Sequence, residues 1–390
     1  MLSRSSLALA RRSLLVRPSA TPTSSAALLL ISKPRSFSSS PLRRAEETST
    51  KPAEPTRSFQ PHFQDPTPAP PAQAWKSSRP HEDWVSNHPV YKPDELNVDV
   101  VHLEPKTLSD KVAFGLVKSA RWGFDLVTGY KHASPEEALA AAKKDGKGDL
   151  TVDQLRKEGY LMTEEQWMSR ILFLESIAGV PGFTAGILRH LRSLRLMRRD
   201  GGWINTLLQE AENERMHLLS FLKIRGPSPF FRLMVLGAQG VFFNLFFVSY
   251  LLSPRAAHRF VGYLEEEACV TYTSLIGAIE RGEVPEWDSK NPQAKKVPQV
   301  AIDYWRLPDD ATMLDFIKAV RADEAGHRFV NHTLANLTKE DFNPVAAKHA
   351  PPQLQGSQPG WSREESLEWG RKVQEELTGR KPEPGEKRDA

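Results

Sequence analysis

Apolar residues recur at helical spacing through the middle of the chain, and strand-type alternation is scarce. Four long stretches carry the pattern, at about 164 to 198, 203 to 224, 255 to 281 and 309 to 337. Breaker clusters mark their ends: DGGW at 200–203, RGPSP at 225–229, SP at 253–254, RGEVPEW at 281–287 and LPDD at 307–310. A further helix is predicted over KVAFGLVKSARWGFDLVTGY, residues 111–130, with an apolar and aromatic face and Lys111, Lys118 and Arg121 as its basic residues. Such a helix suits a membrane surface. No repeat of fixed period appears, so the pattern predicts one all-α folding unit over 96–342.

Composition changes the picture at the two ends. Residues 1–45 hold no Asp or Glu, seven Arg (Arg4, Arg11, Arg12, Arg17, Arg35, Arg43, Arg44) and many Ser, which reads as a mitochondrial transit peptide, with a disordered basic tail as the alternative. PRSFSSS at 34–40 is the expected cleavage region. Residues 46–95 are rich in Pro and polar residues and read as an extended linker; the tail from 343 reads the same way, apart from a short helix expected near 362–378.

The net charge of +4 comes partly from the removable segment, so it is poor support for nucleic-acid binding. Cys269 is the single cysteine, which excludes an intramolecular disulfide framework and fits a reducing compartment. Within the folding unit, residues 131–163 form a charged insertion whose KKDGKGDLTVDQ invites comparison with a calcium loop. The comparison fails: Lys143 and Lys147 fall on two ligand positions, and Gln154 falls where a bidentate Glu belongs. A solvated loop and helix is expected there.

Candidate chemistry lies in acids and histidines. NERMHLLSF at 213–221 places Glu214 three residues before His217, and ADEAGHRFV at 322–330 repeats the spacing with Glu324 and His327. On a helix, residues three apart share a face, so each pair can offer oxygen and nitrogen to one metal. One pair alone is weak support, because an isolated Glu-x-x-His is usually a surface pair. The other two helices, however, each set an acid among apolar residues, Glu175 in ILFLESIAGV and Glu265 in VGYLEEEACV. A buried Glu175 costs several kcal/mol unless a cation or hydrogen bonds compensate. In LEEEA the choice of inward acid is less determined by the pattern.

One Glu from each of two helices plus a Glu-x-x-His from each of the others is a dimetal ligand set, and four carboxylates balance two divalent ions. Carboxylate with imidazole suits iron or manganese better than zinc. The expected fold is therefore all-α, a ferritin-like four-helix bundle binding a dimetal centre, with additional membrane-surface amphipathic helices. Two apolar stretches, at 171–188 and 229–254, are long enough to cross a membrane by hydropathy. A crossing by the second would put ligands of one site on opposite sides, since it lies between His217 and Glu265, and the first contains Glu175. Residues 229–254 are instead expected to lie in one leaflet beside 111–130, giving a monotopic protein.

The blocks LFLESIAGVPG, GGWINTLLQEAENERMHLL, GVFFNLFFVSYLLSPRAAHRFVGYLEEEA, AIDYWRLPDDATM and RADEAGHRFVNH together resemble the mitochondrial alternative oxidases, cyanide-insensitive ubiquinol oxidases, over roughly residues 105–340. The resemblance implies a non-haem di-iron centre held by Glu175, Glu214, His217, Glu265, Glu324 and His327. It adds Tyr272 as a redox-active tyrosine, Arg170 and Thr271 as quinol contacts, and Leu174, Leu264 and Ala268 as the wall of the quinol pocket. Asn213, His258 and Asp323 match polar positions that hydrogen-bond around the ligands. It further implies ubiquinol and oxygen as substrates, water as product without proton pumping, a homodimer, and a place on the matrix side of the mitochondrial inner membrane.

Two departures stand out. The regulatory cysteine that plant members carry ahead of the catalytic region has no counterpart here, so thiol control is not expected, and the insertion at 131–163 looks fungal. Gly326 replaces a bulkier residue between the last two ligands, at a cost of about 1 kcal/mol in a helix. Two rival readings stay open: a membrane-associated di-iron quinone hydroxylase using the same ligands, and a non-catalytic iron-binding bundle.

Overall fold

The computed structural model describes residues 88–130, 133–338 and 341–379. The expected transit peptide, its cleavage region, the linker up to 87 and the last residues of the tail lie outside them. The described residues form eleven helices: α1 (Leu108–Thr128), α2 (Pro135–Lys144), α3 (Val152–Lys157), α4 (Glu164–Leu196), α5 (Trp203–Ile224), α6 (Pro229–Leu252), α7 (Pro254–Glu280), α8 (Gln299–Trp305), α9 (Met313–Asn336), α10 (Pro352–Ser357) and α11 (Arg363–Thr378).

Local chemistry sets the ends of the long helices. Thr163 and Gln166 exchange side-chain and backbone hydrogen bonds at the start of α4, and Thr312 and Asp315 do the same for α9. Ser253 closes α6 and its hydroxyl caps α7, with Pro254 in the first turn where its missing amide costs nothing.

α4 packs along α5 and α7 along α9, and these four form the bundle. At Gly182 the α4 and α5 backbones meet so closely that a β-carbon would sit 2.7 Å from the Leu207 carbonyl oxygen. One apolar core gathers Met168, Ile171, Phe221, Tyr272, Leu275 and Phe316; another gathers Ala185, Leu207, Val261, Phe329 and Leu334. The order of these residues along each helix shows that α4 and α9 run one way and α5 and α7 the other. It also shows that Glu175, Glu214, His217, Glu265, Glu324 and His327 all fall in the layer between the two cores.

α1 lies along α7, while α6 packs on α4 and α7. Two helices among the described residues are long and apolar enough to cross a membrane: half of the apolar window of α4 is buried inside the protein, but only 11% of that of α6. Phe230, Leu233, Leu236, Val241 and Leu245 of α6 stand exposed, as do Leu108, Val112, Leu116, Trp122 and Leu126 of α1. The insertion folds as a hairpin of α2 and α3 around Ala138, Ala142, Leu155 and Leu161, and Arg156 ties it to Glu286 at 2.7 Å. Lys143 and Lys147, at the would-be calcium positions, pair with Asp149 and Glu158.

Two segments expected to be extended pack against the bundle instead. His88 and Tyr91, inside the expected linker, both reach Asp323 of α9. From 343 onward, Val345, Ala350, Trp361 and Val373 are buried, and α11 coincides with the short helix expected at 362–378. Arg328, fully buried, gathers this tail by donating to the carbonyls of Asp99, Gln355, Gly356 and Gln358 at 2.8 to 3.3 Å. Gly326 lies under this tail, where a β-carbon would come within 2.8 Å of Gln355 Oε1, the movable end of a side chain, so the contact alone does not require glycine. Composition missed both segments because a few aromatic and apolar anchors hold them, within sequence that is otherwise Pro-rich and polar.

Candidate metal centre

Each bundle helix delivers its acid from a buried position: Glu175 from α4, Glu214 from α5, Glu265 from α7 and Glu324 from α9. His217 and His327 follow one turn after Glu214 and Glu324. The six side chains form two overlapping groups, Glu175, Glu214, His217 and Glu324 in one, Glu214, Glu265, Glu324 and His327 in the other. In each group the donor atoms lie within 4.8 Å of one another. Glu214 and Glu324 belong to both, so the two acids of the Glu-x-x-His pairs stand in the middle, and Glu175 and Glu265 stand at the ends.

His217 Nδ1 is 3.3 Å from Glu324, 3.4 Å from Glu175 and 3.5 Å from Glu214. His327 Nδ1 is 2.7 Å from Glu214 Oε1 without the alignment of a hydrogen bond. Glu175 Oε2, both oxygens of Glu214 and both of these imidazole nitrogens are buried with no hydrogen-bond partner. Buried polar atoms almost always have one. Five such atoms turned toward one another are what a cation site leaves when the cation is removed, so the donor set fits a pair of divalent metals.

Electrostatics agree. Burial pushes Glu175 up to about 8 and holds Glu265 well above the carboxylate range. Burial acts on Glu214 in the same direction, but the imidazoles of His327 and His217 outweigh it and hold that carboxyl low. Burial lowers both histidines, yet the Glu214 carboxylate leads a set of acids that raises them well above the usual imidazole range. Without metal, protons hold this charge together. Four carboxylates with two neutral imidazoles are balanced by two divalent cations.

Asp323 organises the surroundings. Its Oδ2 lies 3.0 Å from His217 Nε2 and accepts from Asn213 at 2.9 Å and Trp305 Nε1 at 2.8 Å. Its Oδ1 faces His88 Nε2 at 2.8 Å and the Tyr91 hydroxyl. Burial opposes the charge, but His88 and His217 keep the Asp323 carboxyl well below its ordinary range. An ionised Asp323 accepts a hydrogen bond from Nε2–H, which keeps the proton on that nitrogen and turns Nδ1 toward the carboxylates.

His258 stands further out. It meets Asn331 at 3.0 Å, and Asn331 donates to Glu210 at 2.9 Å and to the His327 carbonyl at 3.0 Å. Sequence reasoning missed Glu210 and Asn331, although each lies four residues from a proposed ligand, Glu214 and His327, on the same helix face.

Tyr272 donates its hydroxyl to Glu175 Oε1 in a short hydrogen bond. Arg170 and Thr271 come together only through α1. Arg170 donates to Asp125 at 2.8 Å with its guanidinium 3.9 Å from the Tyr130 ring, and Arg121 donates to Asp125, Glu267 and Thr271. Leu174, Leu264 and Ala268 are half-buried, with Leu264 packed against Ala113, Val117 and Tyr263. Asp125 and Arg121 had no signal in sequence, because their role depends on α1 lying across α7.

The sequence profile described as Alternative oxidase matches residues 91–336. Among curated relatives, the mitochondrial alternative oxidase of Cryptococcus neoformans is 52% identical over 296 residues, covering 75% of this chain and 71% of the relative. That of Aspergillus niger is 50% identical over 295 residues, 73% and 77% of the two chains, and that of Emericella nidulans 50% over 311 residues, 76% and 80%. With a profile match over more than half its length, relatives at this identity and a buried carboxylate and histidine cluster of the expected kind, the chain belongs to the alternative oxidase family.

Proposed function

We propose that Glu175, Glu214, His217, Glu265, Glu324 and His327 would hold the two irons of this ubiquinol oxidase, Glu214 and Glu324 being the acids common to both donor groups. The observation that carries the assignment is the set of five buried, unpartnered donor atoms converging from α4, α5 and α9. When bound, the iron pair supplies the electron storage and oxygen reduction that side chains cannot.

The protein's own groups supply the rest. Arg170 and Thr271, braced by Asp125 and Arg121, receive the quinol headgroup, with Leu174, Leu264 and Ala268 as apolar wall. Tyr272 passes electrons toward the centre, and its hydrogen bond to Glu175 Oε1 gives the phenolic proton a carboxylate to move onto when the ring is oxidised. Phe221, Phe316 and Trp305 shield one side of the layer from water. Asp323, Asn213 and, at one remove, His258 keep the imidazoles in place.

The relatives' description as mitochondrial, together with the acid-poor leader, supports a mitochondrial location; a place on the matrix side of the inner membrane and a homodimer are what the family resemblance implies. Exposed apolar residues on α1 and α6 support attachment to one leaflet, where quinol dissolves. A crossing by α6 would separate Glu214 from Glu265, which lie in one cluster. A protein confined to one leaflet carries no charge across the bilayer, so quinol oxidation pumps no protons.

The test is oxygen uptake by purified protein with a short-chain quinol in the presence of cyanide, with an iron count and product analysis. Expected are cyanide-insensitive uptake, water as product and two irons per chain. A hydroxylated quinone identifies a quinone hydroxylase, and iron far from two per chain identifies a non-catalytic bundle.

A further inference from the structure

A cavity of about 250 Å³ lies among α4, α5 and α6. Glu175 belongs both to its wall and to the proposed metal centre, whereas none of Arg170, Thr271, Leu174, Leu264 and Ala268 lines it. It is therefore a separate approach to the same layer of the bundle.

Apart from Glu175, whose Oε2 faces the proposed metal centre without a hydrogen-bond partner, the polar side chains on its wall are already occupied. The Ser176 hydroxyl donates to the Phe173 carbonyl and the Thr184 hydroxyl to the Val180 carbonyl, each at 2.7 Å. The Gln239 amide donates to the Ser176 carbonyl at 2.7 Å, and Arg215 is paired with Glu212. The remaining wall is Gly179, Val180, Phe183, Ala211, Leu218 and Phe243. Phe183 and Phe243 reach the exterior, 55% and 39% exposed, and Phe243 belongs to the apolar α6. A wall this rich in apolar side chains takes up small apolar molecules and offers a quinol's two hydroxyls few partners.

We propose that this cavity is the access path and holding site for dioxygen, leading from the apolar surface between α4 and α6 to Glu175. The inference rests on the metal-centre reading above. Dioxygen, uncharged and more soluble in hydrocarbon than in water, is the substrate whose chemistry matches the wall. The two substrates then reach the centre by different routes, and quinol in its own pocket leaves the path of oxygen open.

The experiment uses full-length protein loaded with iron, with xenon as the probe of the cavity. Crystals pressurised with xenon are expected to show it between Val180 and Phe243, and in Val180→Phe the site is expected to be filled and xenon lost. In the same variant the KM for oxygen is expected to rise on the order of tenfold, with kcat at saturating oxygen, the KM for quinol and the iron count unchanged. Phe243→Trp, at the exposed mouth, adds bulk without entering the bundle and is expected to raise the KM for oxygen in the same sense. Absence of xenon in the unmodified protein, or an unchanged oxygen KM in variants that exclude xenon, overturns the proposal. Absence of iron from the unmodified protein overturns the metal-centre reading instead.

Discussion

Asp323 faces His217 with Oδ2 3.0 Å from Nε2, and so decides which nitrogen His217 turns to the carboxylates. Asp323→Asn keeps the shape but removes the charge that holds the ring's proton on Nε2. Iron affinity is expected to fall by about 10- to 100-fold, the range for such partners, read by chelator competition on the purified variant. Unchanged affinity would remove Asp323 from the support of the site.

The overlap of the two donor groups separates the acids. Glu214 serves both groups and Glu265 only one. Glu214→Ala is expected to lose both irons together with quinol-dependent oxygen uptake, whereas Glu265→Ala should retain more iron per chain than Glu214→Ala. Metal analysis of the two proteins side by side decides it; equal retention contradicts the shared role.

Tyr272 is buried, and its hydroxyl is spent on Glu175. Burial, followed by the nearby Glu175 and Glu324 carboxylates, holds the phenol well above its ordinary pKa, so it stays protonated until oxidised. Tyr272→Phe is expected to keep both irons and lose turnover by on the order of a hundredfold or more, as positioned proton transfers typically contribute. Full activity in that variant would exclude Tyr272 from the reaction.

Acid should weaken the fold through His258. Burial pulls this imidazole from 6.5 down to about 4, with Asn331 opposing and Arg189 adding to the fall. The folded state keeps His258 neutral where the unfolded chain protonates it. Stability from this group is thus complete above pH 6.5 and lost as pH falls toward 4, by about 3 kcal/mol in all. Thermal melts between pH 7.5 and 4.5 are expected to show His258→Gln losing less stability on acidification than the unmodified protein. A parallel decline in both would refute the assignment.

Much of the site was legible in sequence because helical spacing is rigid. Glu214 with His217 and Glu324 with His327 fix a face without knowledge of the rest, and the apolar setting of Glu175 marks it as a buried charge in need of a partner. In LEEEA the pattern did not single out an acid. The fold does so: Glu265 joins the cluster, Glu266 is taken by His102 and His332, and Glu267 by Lys118 and Arg121.

What sequence could not give were relationships between distant segments of chain. His88 and Tyr91 lie more than 230 residues before Asp323, in a stretch whose composition argues against order. The link from Arg170 to Thr271 exists only because α1 lies across α7 and brings Asp125 and Arg121 between them. Gly326 lies beneath Gln355 of the tail, a neighbour that the helix pattern around it does not reveal. Periodicity reports which face of an element is inward, and nothing about which loop will cover the other face.

Arg328 carries a genetic implication. Every proposed ligand is encoded before codon 328, so a stop codon near position 345 leaves the whole metal set in the message. The truncated product would still be crippled, because three of the four carbonyls that receive Arg328 belong to Gln355, Gly356 and Gln358, and their loss strands a buried guanidinium beside His327. A late nonsense allele, downstream of all the chemistry, should therefore behave as a null.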